Sequence, residues 1–189
     1  MIKILLVFAG GGLGAVCRFL LTTALAGKLG NFPLGTKEAQ EMLPRLVKKL
    51  EAIVEEGAVD LIFTQDTHDD KYLNTQEGRN LPVPHCMKKT EGWQIVPELQ
   101  KFTARAKAVI EKKAFGSTRL PSLIKPYEVV EFAGVCTDIC VVSNALLVKA
   151  FYPEQRVQID AACCAGTTPE AHQKALDVMK NCQCKIINE

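Results

Sequence analysis

Strong net charge, zinc-finger cysteine spacing and sequence repetition are all missing from this chain, and each absence removes a class of function. Lysine and arginine number 23 against 21 acidic residues, a formal net charge of +2, which gives nucleic acid no electrostatic footing as a partner. Eight cysteines occur, but adjacent Cys163-Cys164 and the Cys182-x-Cys184 pair lack the spacing of a zinc finger. A chain of 189 residues is long and apolar enough not to need a disulfide framework. The cysteines therefore read as reduced thiols of a cytoplasmic protein. No internal repeat or low-complexity tract appears, and the length suits one domain burying a two-sided sheet core.

Charge is scarcest at the start. From Ile4 to Gly27 the only charged residue is Arg18, and no carboxylate precedes Glu38. The run carries Gly10-Gly11-Gly12-Leu13-Gly14. It reads as a strand followed by a glycine-rich turn and helix, as a signal peptide, or as a membrane helix, having the length of a span. A signal peptide is disfavoured, because no small-x-small site follows at a convincing distance. The glycines match neither Gly-x-Gly-x-x-Gly nor a P-loop with its lysine. With Arg18-Phe19-Leu20-Leu21 and Asn31-Phe32-Pro33-Leu34-Gly35-Thr36, this segment resembles the first membrane helix and following loop of the small fluoride-channel family. The resemblance covers residues 1–36, and the rest of the chain is soluble in pattern, so a membrane role for the whole is disfavoured.

Beyond residue 36 the pattern is alternating. Leu43, Leu46, Val47, Leu50, Ile53 and Val54 share one helical face, with Pro44 early and Gly57 as the stop. Val59 to Thr64 reads as a buried strand ending in Gln65-Asp66-Thr67-His68. A polar loop of about twenty residues, long enough to suggest function, runs to Pro84-His85-Cys86. Ala106 to Glu111 is the next strand, Thr118 to Ile124 a short helix, and Val129 to Ala133 a strand feeding a helix from Asp138 to Phe151. Arg156 to Asp160 is a strand, Ala161 to Thr167 a loop over the sheet edge, Pro169 to Met179 a helix and Cys184 to Ile187 a last strand. This order predicts an α/β fold of three layers, a mostly parallel sheet with helices on both faces.

Gly134-Val135-Cys136-Thr137-Asp138-Ile139-Cys140-Val141 is the strand-to-helix turn on which the chemistry centres. In an open parallel sheet such a turn faces the ligand crevice. Unpaired N–H groups and the helix dipole there stabilise a thiolate and cradle an oxyanion. Cys140 reads equally as a nucleophile and as a small buried apolar residue.

The octapeptide resembles the nucleophile signature of the isochorismatase-like cysteine hydrolases, the superfamily that includes the nicotinamidases, and the resemblance extends over residues 35–189. It implies Cys140 as nucleophile, the backbone N–H groups of Cys136 and Cys140 as an oxyanion hole, and a cis peptide between Val135 and Cys136. Glu111-Lys112-Lys113-Ala114-Phe115 resembles the family's Glu-Lys-Pro-x-Phe context, with Lys113 in place of the proline, and implies Lys112 as the catalytic lysine. A lysine there is otherwise an ordinary solvated side chain. Asp66, His68 and His85 supply a carboxylate and two imidazoles, suited to a divalent metal with open positions, zinc first by ligand type. The nicotinamidases use such an Asp-x-His and a later His before a Cys. At Asn74, where they often place another ligand, this chain has an amide, and His172 reads as a surface residue. The implied function is hydrolysis of a small amide, in a protein that forms homo-oligomers.

Two departures bear on that function. The family's catalytic aspartate ends the first strand, and the corresponding residue here is Ala9. Nicotinamidases also stack their substrate on aromatics from the loop after that strand, which is replaced here, and from the position occupied by Pro82. The alternative is a catalytically impaired or inactive member of the fold that binds a metal or small ligand.

Overall fold

Among the described residues, six strands form one parallel sheet. In the computed structural model, which describes residues 4–9, 36–57 and 59–189, these are β1 (Ile4–Ala9), β2 (Val59–Asp66), β3 (Ala108–Lys112), β4 (Val129–Val135), β5 (Arg156–Ala165) and β6 (Lys185–Ile187). From β1 the chain steps outward one way to β2 and β3, then returns to β4 and steps the other way to β5 and β6. The order therefore reverses between β1 and β4, and a crevice opens at the carboxyl ends of strands that diverge in this way. The readings placed on residues 10–35, membrane helix and glycine-rich cradle alike, lie outside the described residues. Among the described residues, no helix is long and apolar enough to cross a membrane.

Helices cover both faces, as the alternation predicts. On one face α1 (Lys37–Glu56) and α3 (Pro97–Thr103) bury Met42, Leu46, Leu50 and Phe102 against Leu61, Phe63 and Ala133. On the other, α4 (Leu120–Ile124), α5 (Val142–Phe151) and α6 (Pro169–Asn181) pack Leu120, Ile124, Ala145, Val148, Leu176 and Met179 onto Ile62, Ile110, Val130, Phe132 and Ile159. Helix α1 begins earlier than the apolar period suggests. Thr36 caps it by accepting from the Ala39 N–H, and Glu38 in the first turn complements the helix dipole, so Pro44 lies inside the helix on its exposed side. Gly57 closes it at φ 66°, a left-handed conformation that glycine adopts without steric cost.

Strand β5 departs most from expectation. The run Ala161-Ala162-Cys163-Cys164-Ala165 continues the strand rather than forming a loop, with a shift in register against β4 between Phe132 and Gly134. These residues lack β-branching, but burial against β4 and α1 keeps them extended. The long loop after β2 carries short helical pieces, a 3₁₀ turn at Tyr72–Asn74, α2 (Gln76–Asn80) and a second 3₁₀ turn at Glu91–Trp93. Among the described residues, Cys86, Cys136, Cys140, Cys163, Cys164, Cys182 and Cys184 form no disulfide.

Beneath α1 the sheet buries charge. Lys49 reaches down between Glu131 of β4 and Asp160 of β5, pairing with both, while Gln158, in register beside Glu131, donates to its second oxygen. Burial opposes the Lys49 ammonium, but its hydrogen bonds to Asp160 and Glu131 outweigh it and hold the pKa above the usual lysine value. A raised lysine stabilises the fold below its unfolded pKa, and that contribution is lost as pH climbs through the folded value. Removing the ammonium strands two buried carboxylates, a class of change that costs about 3–5 kcal/mol. Lys49→Met is therefore expected to lower the melting temperature by roughly 6–20 °C. Lys48→Met, at the exposed neighbouring position, should leave it nearly unchanged. Equal melting of the two variants would show that the cluster does not hold α1 to the sheet.

Candidate active site

The turn after β4 sits at the reversal point of the sheet. Cys136 is extended (φ −93°, ψ 144°), and the Val135–Cys136 peptide is cis, as the resemblance implied. Thr137–Val141 then forms one wide π turn before α5 begins at Val142, where a helix from Asp138 was expected. The Cys136 carbonyl accepts from both Ile139 and Val141 N–H groups. Cys140 lies within this turn, 7% exposed, and the Cys136 backbone N–H donates toward its sulfur.

Lys112 ends β3 directly in register with Asp66 at the end of β2, so both side chains project from the same face of the sheet. The residue is 4% exposed, with its ammonium 3.3 Å from Cys140 Sγ and 3.2 Å from Asp66 Oδ1. It is not a solvated surface lysine. Burial works against its charge, but Cys140 and Asp66 prevail and hold its pKa above the ordinary value. At Cys140 the balance differs. Burial pushes the thiol up and Lys112 pulls it partly back, leaving it above the usual thiol value. The helix-terminus expectation of a lowered thiol is thus outweighed, because the Cys140 side chain itself is buried. Lys113, the residue in the family's proline position, points outward and pairs with Asp69 at 3.2 Å.

Asp66, His68 and His85 come together, with one ligand atom from each within 4.8 Å of the others. His68 is fixed by a bridge in which its N–H donates to Cys86 O and its carbonyl accepts from Lys88 N–H. That bridge carries His85 alongside. His85 Nδ1 lies 2.8 Å from the Val83 carbonyl, a contact that requires the ring to donate there and leaves the Nε2 lone pair for a ligand. The Nε2 atoms of both histidines are buried without a hydrogen-bond partner. Convergent, desolvated lone pairs beside a carboxylate are what a divalent cation satisfies, so the residues present fit a metal. Burial lowers the His68 pKa against the pull of Asp66 and Glu77, which favours the neutral form a metal needs. At His85 burial is outweighed by Glu77 and the Val83 carbonyl, and the pKa is raised.

Glu77 was not legible as a site residue. Its Oε1 lies 3.4 Å from His85 Nε2 and 3.7 Å from His68 Nε2, whereas Asn74 is exposed. The short helix α2 aims Glu77 inward. Thr75 caps it by accepting from Gly78 N–H, and a Cβ at Gly78 would stand 2.0 Å from the Tyr72 carbonyl oxygen, so only glycine lets α2 settle on the Tyr72 turn. Tyr72, 1% exposed, packs against both imidazoles with ring centroids 4.7 and 5.0 Å away, while the two imidazoles meet edge-on at 4.8 Å.

Two further residues brace the nucleophile turn. Asn144 of α5, fully buried, donates to the Cys140 carbonyl at 2.8 Å and to the Phe115 carbonyl at 3.2 Å, and accepts from Ser117 N–H. It ties the segment after Lys112 to the turn holding Cys140. His172, expected at the surface, is instead half-buried, with Nδ1 2.8 Å from Thr137 Oγ1. Ala9 ends β1 in register with Thr64 and Gly134, so position 9 lies at the rim beside the nucleophile strand. Neither Asp138 nor Asp60 replaces a carboxylate there. Asp138 accepts from Thr167 N–H and Oγ1. Asp60 lies near the start of β2 with Tyr127 and Lys107.

A family model described as the isochorismatase domain matches residues 19–189. The chain belongs to the isochorismatase family. The match starts inside the opening segment, earlier than residue 35, where the resemblance read from the sequence begins. The uncharacterized isochorismatase family protein PncA of Bacillus subtilis strain 168 is 30% identical over 131 residues, 64% of this chain and 70% of that protein. The fold is shared with the nicotinamidase/pyrazinamidase PncA from Bacillus subtilis, at a TM-score of 0.76 and 23% identity over 98% of this chain and 99% of that one. The pyrazinamidase of Pyrococcus horikoshii in complex with zinc gives 0.74 at 21%, over 99% of both chains. N-carbamoylsarcosine amidase from Thermoplasma acidophilum gives 0.67 at 22%, over 98% and 95%.

Proposed function

We propose that the protein hydrolyses a small amide through Cys140, with Lys112 as its charged partner, and that the reaction is slow because position 9 is alanine. The buried 3.3 Å contact between Lys112 Nζ and Cys140 Sγ carries this reading. An ammonium so placed stabilises the thiolate that attacks the amide carbonyl carbon, forming the S–C bond as the carbonyl oxygen takes up negative charge. The N–H groups of Cys136 and Cys140 receive that oxygen. Collapse of the tetrahedral adduct expels the amine, and water then releases the acid and regenerates Cys140. The amine must leave protonated, and here the chain offers no carboxylate at the end of β1.

Asp66, His68 and His85 would hold a divalent metal, zinc by ligand type, with Glu77 as a further carboxylate beside both imidazoles. Bound there, the ion would polarise and orient a substrate group next to Cys140. That the related fold of the Pyrococcus protein was obtained in complex with zinc supports this choice. Metal analysis of the purified protein is expected to find one divalent ion per chain, lost in His68→Ala. Glu77→Gln should weaken binding by about 10–100-fold, the usual cost of removing a supporting partner. Equal metal content in all three proteins would leave these residues with structural roles.

Ala9 favours a second reading, a member of the fold that binds a metal or small ligand without turnover. Activity on a panel of small primary amides, with and without added zinc, separates the two. Release of ammonia that disappears in Cys140→Ala supports the hydrolase, and metal binding without ammonia release supports the binder.

A further inference from the structure

The nucleophile turn is held from the side opposite Lys112 by the β5–α6 corner, and His172 is the centre of that hold. Thr137, the first residue of the turn, is fully buried, and its hydroxyl meets His172 Nδ1 at 2.8 Å. The next residue, Asp138, is gripped by Thr167 N–H and hydroxyl at 2.9 and 2.6 Å. Gly166 lies so close under α6 that a Cβ there would stand 2.8 Å from His172 N, so corner and helix are packed as one piece. Thr137 adjoins Cys136, whose N–H donates toward the Cys140 sulfur. A shift at Thr137 therefore re-aims that donor.

We propose that His172 is a positioning residue, whose hydrogen bond to Thr137 holds the Cys136 amide and Cys140 in the geometry needed to receive an oxyanion. It does not touch the reacting atoms. The proposal rests on the Cys140 reading given above and adds to it the residue that sets the turn. Donor geometry at an oxyanion must be kept within about half an ångström, so loss of this hydrogen bond should show as about a two- to tenfold change at the site. Burial lowers the His172 pKa against the pull of Asp138, so the ring that meets Thr137 at neutral pH is uncharged.

A reversible adduct tests this without depending on turnover. Acetaldehyde or benzaldehyde adds to the Cys140 thiol, forming the S–C bond while the thiol proton passes to the carbonyl oxygen, and the resulting thiohemiacetal oxygen faces the Cys136 and Cys140 amides. Titration of the full chain is expected to give a dissociation constant about two- to tenfold weaker in His172→Ala, and equally weaker in Thr137→Val. His172→Asn, which can present a polar atom near the Nδ1 position, should recover most of the affinity. The double variant His172→Ala/Thr137→Val should be no weaker than either single change, the signature of one shared interaction. Where amide turnover is measured, kcat should follow the same order with KM little changed. Wild-type aldehyde affinity in His172→Ala, or additive losses in the double variant, would overturn the proposal and leave the Cys140 reading standing. Unchanged affinity in Cys140→Ala would overturn both.

Discussion

Amide hydrolysis is expected to fall to background in Cys140→Ala while metal content and melting temperature stay near those of the parent. Cys140 is a small buried residue, so alanine fills most of its space and the loss isolates the nucleophile. Lys112→Met should lose turnover comparably, at least about 10³-fold where the parent is fast enough to show it, since removing one member of a unit that acts together costs nearly as much as removing all. The pH dependence carries a sign. Burial holds the Cys140 thiol above its usual value and Lys112 is held above its own, so at neutral pH the pair rests as thiol and ammonium. Thiolate then grows about tenfold per pH unit below the thiol pKa. Alkylation of Cys140, mapped by peptide, is expected to rise through pH 7 to 9 without a plateau. Cys182, exposed at the end of α6, serves as the internal reference. A plateau near pH 7 would mean that Lys112 overrides burial and that the resting nucleophile is already a thiolate.

The sheet was legible because its strands are short apolar runs set between helices, and the parallel order follows from that alternation. The candidate site was legible only in pieces. Cys140 stood out by its place in a strand-to-helix turn together with the resemblance, and Lys112 by the Glu-Lys context alone. Nothing local marks Lys112 as buried. It is buried because β3 pairs beside β2 in a register that sets Lys112 against Asp66, a long-range fact that no local pattern carries. Glu77 was hidden for a related reason. Its one-turn helix is too short to show a period, and its direction depends on Gly78 settling against the Tyr72 turn. His172 reads as a surface residue because the stretch Glu170-Ala171-His172-Gln173-Lys174 is mostly polar, and its partner Thr137 lies 35 residues away. The end of β5 reads as a loop because it lacks the β-branched and aromatic residues that mark strands; pairing of Cys164 with Gly134 decides it instead.

The largest gain is expected from exchanging residues 1–34 for a first strand and loop of the hydrolase type, which should speed amide hydrolysis by about 10²–10⁴-fold, the usual contribution of a positioned proton-transfer group. Cys140 rests as a thiol, so attack needs a group to take its proton, and the departing amine needs one back. Position 9 ends β1 in register with Gly134, at the rim where the turn to Cys140 begins, and its alanine can do neither. Asp138 is committed to Thr167, and Asp60 to Tyr127 and Lys107 near the other end of β2. Asp66 touches Lys112 but belongs to the cluster that fits a metal. Ala9→Asp alone is expected to recover less than the exchange, because a carboxylate must be held within about half an ångström to act and the glycine-rich segment after it differs from the family's loop. Ammonia release from a small amide, followed for parent, Ala9→Asp and exchanged chain at equal zinc, makes the comparison. A parent already as fast as the exchanged chain would show that Asp66 or Lys112 moves the proton, and that the alanine at position 9 costs the reaction nothing.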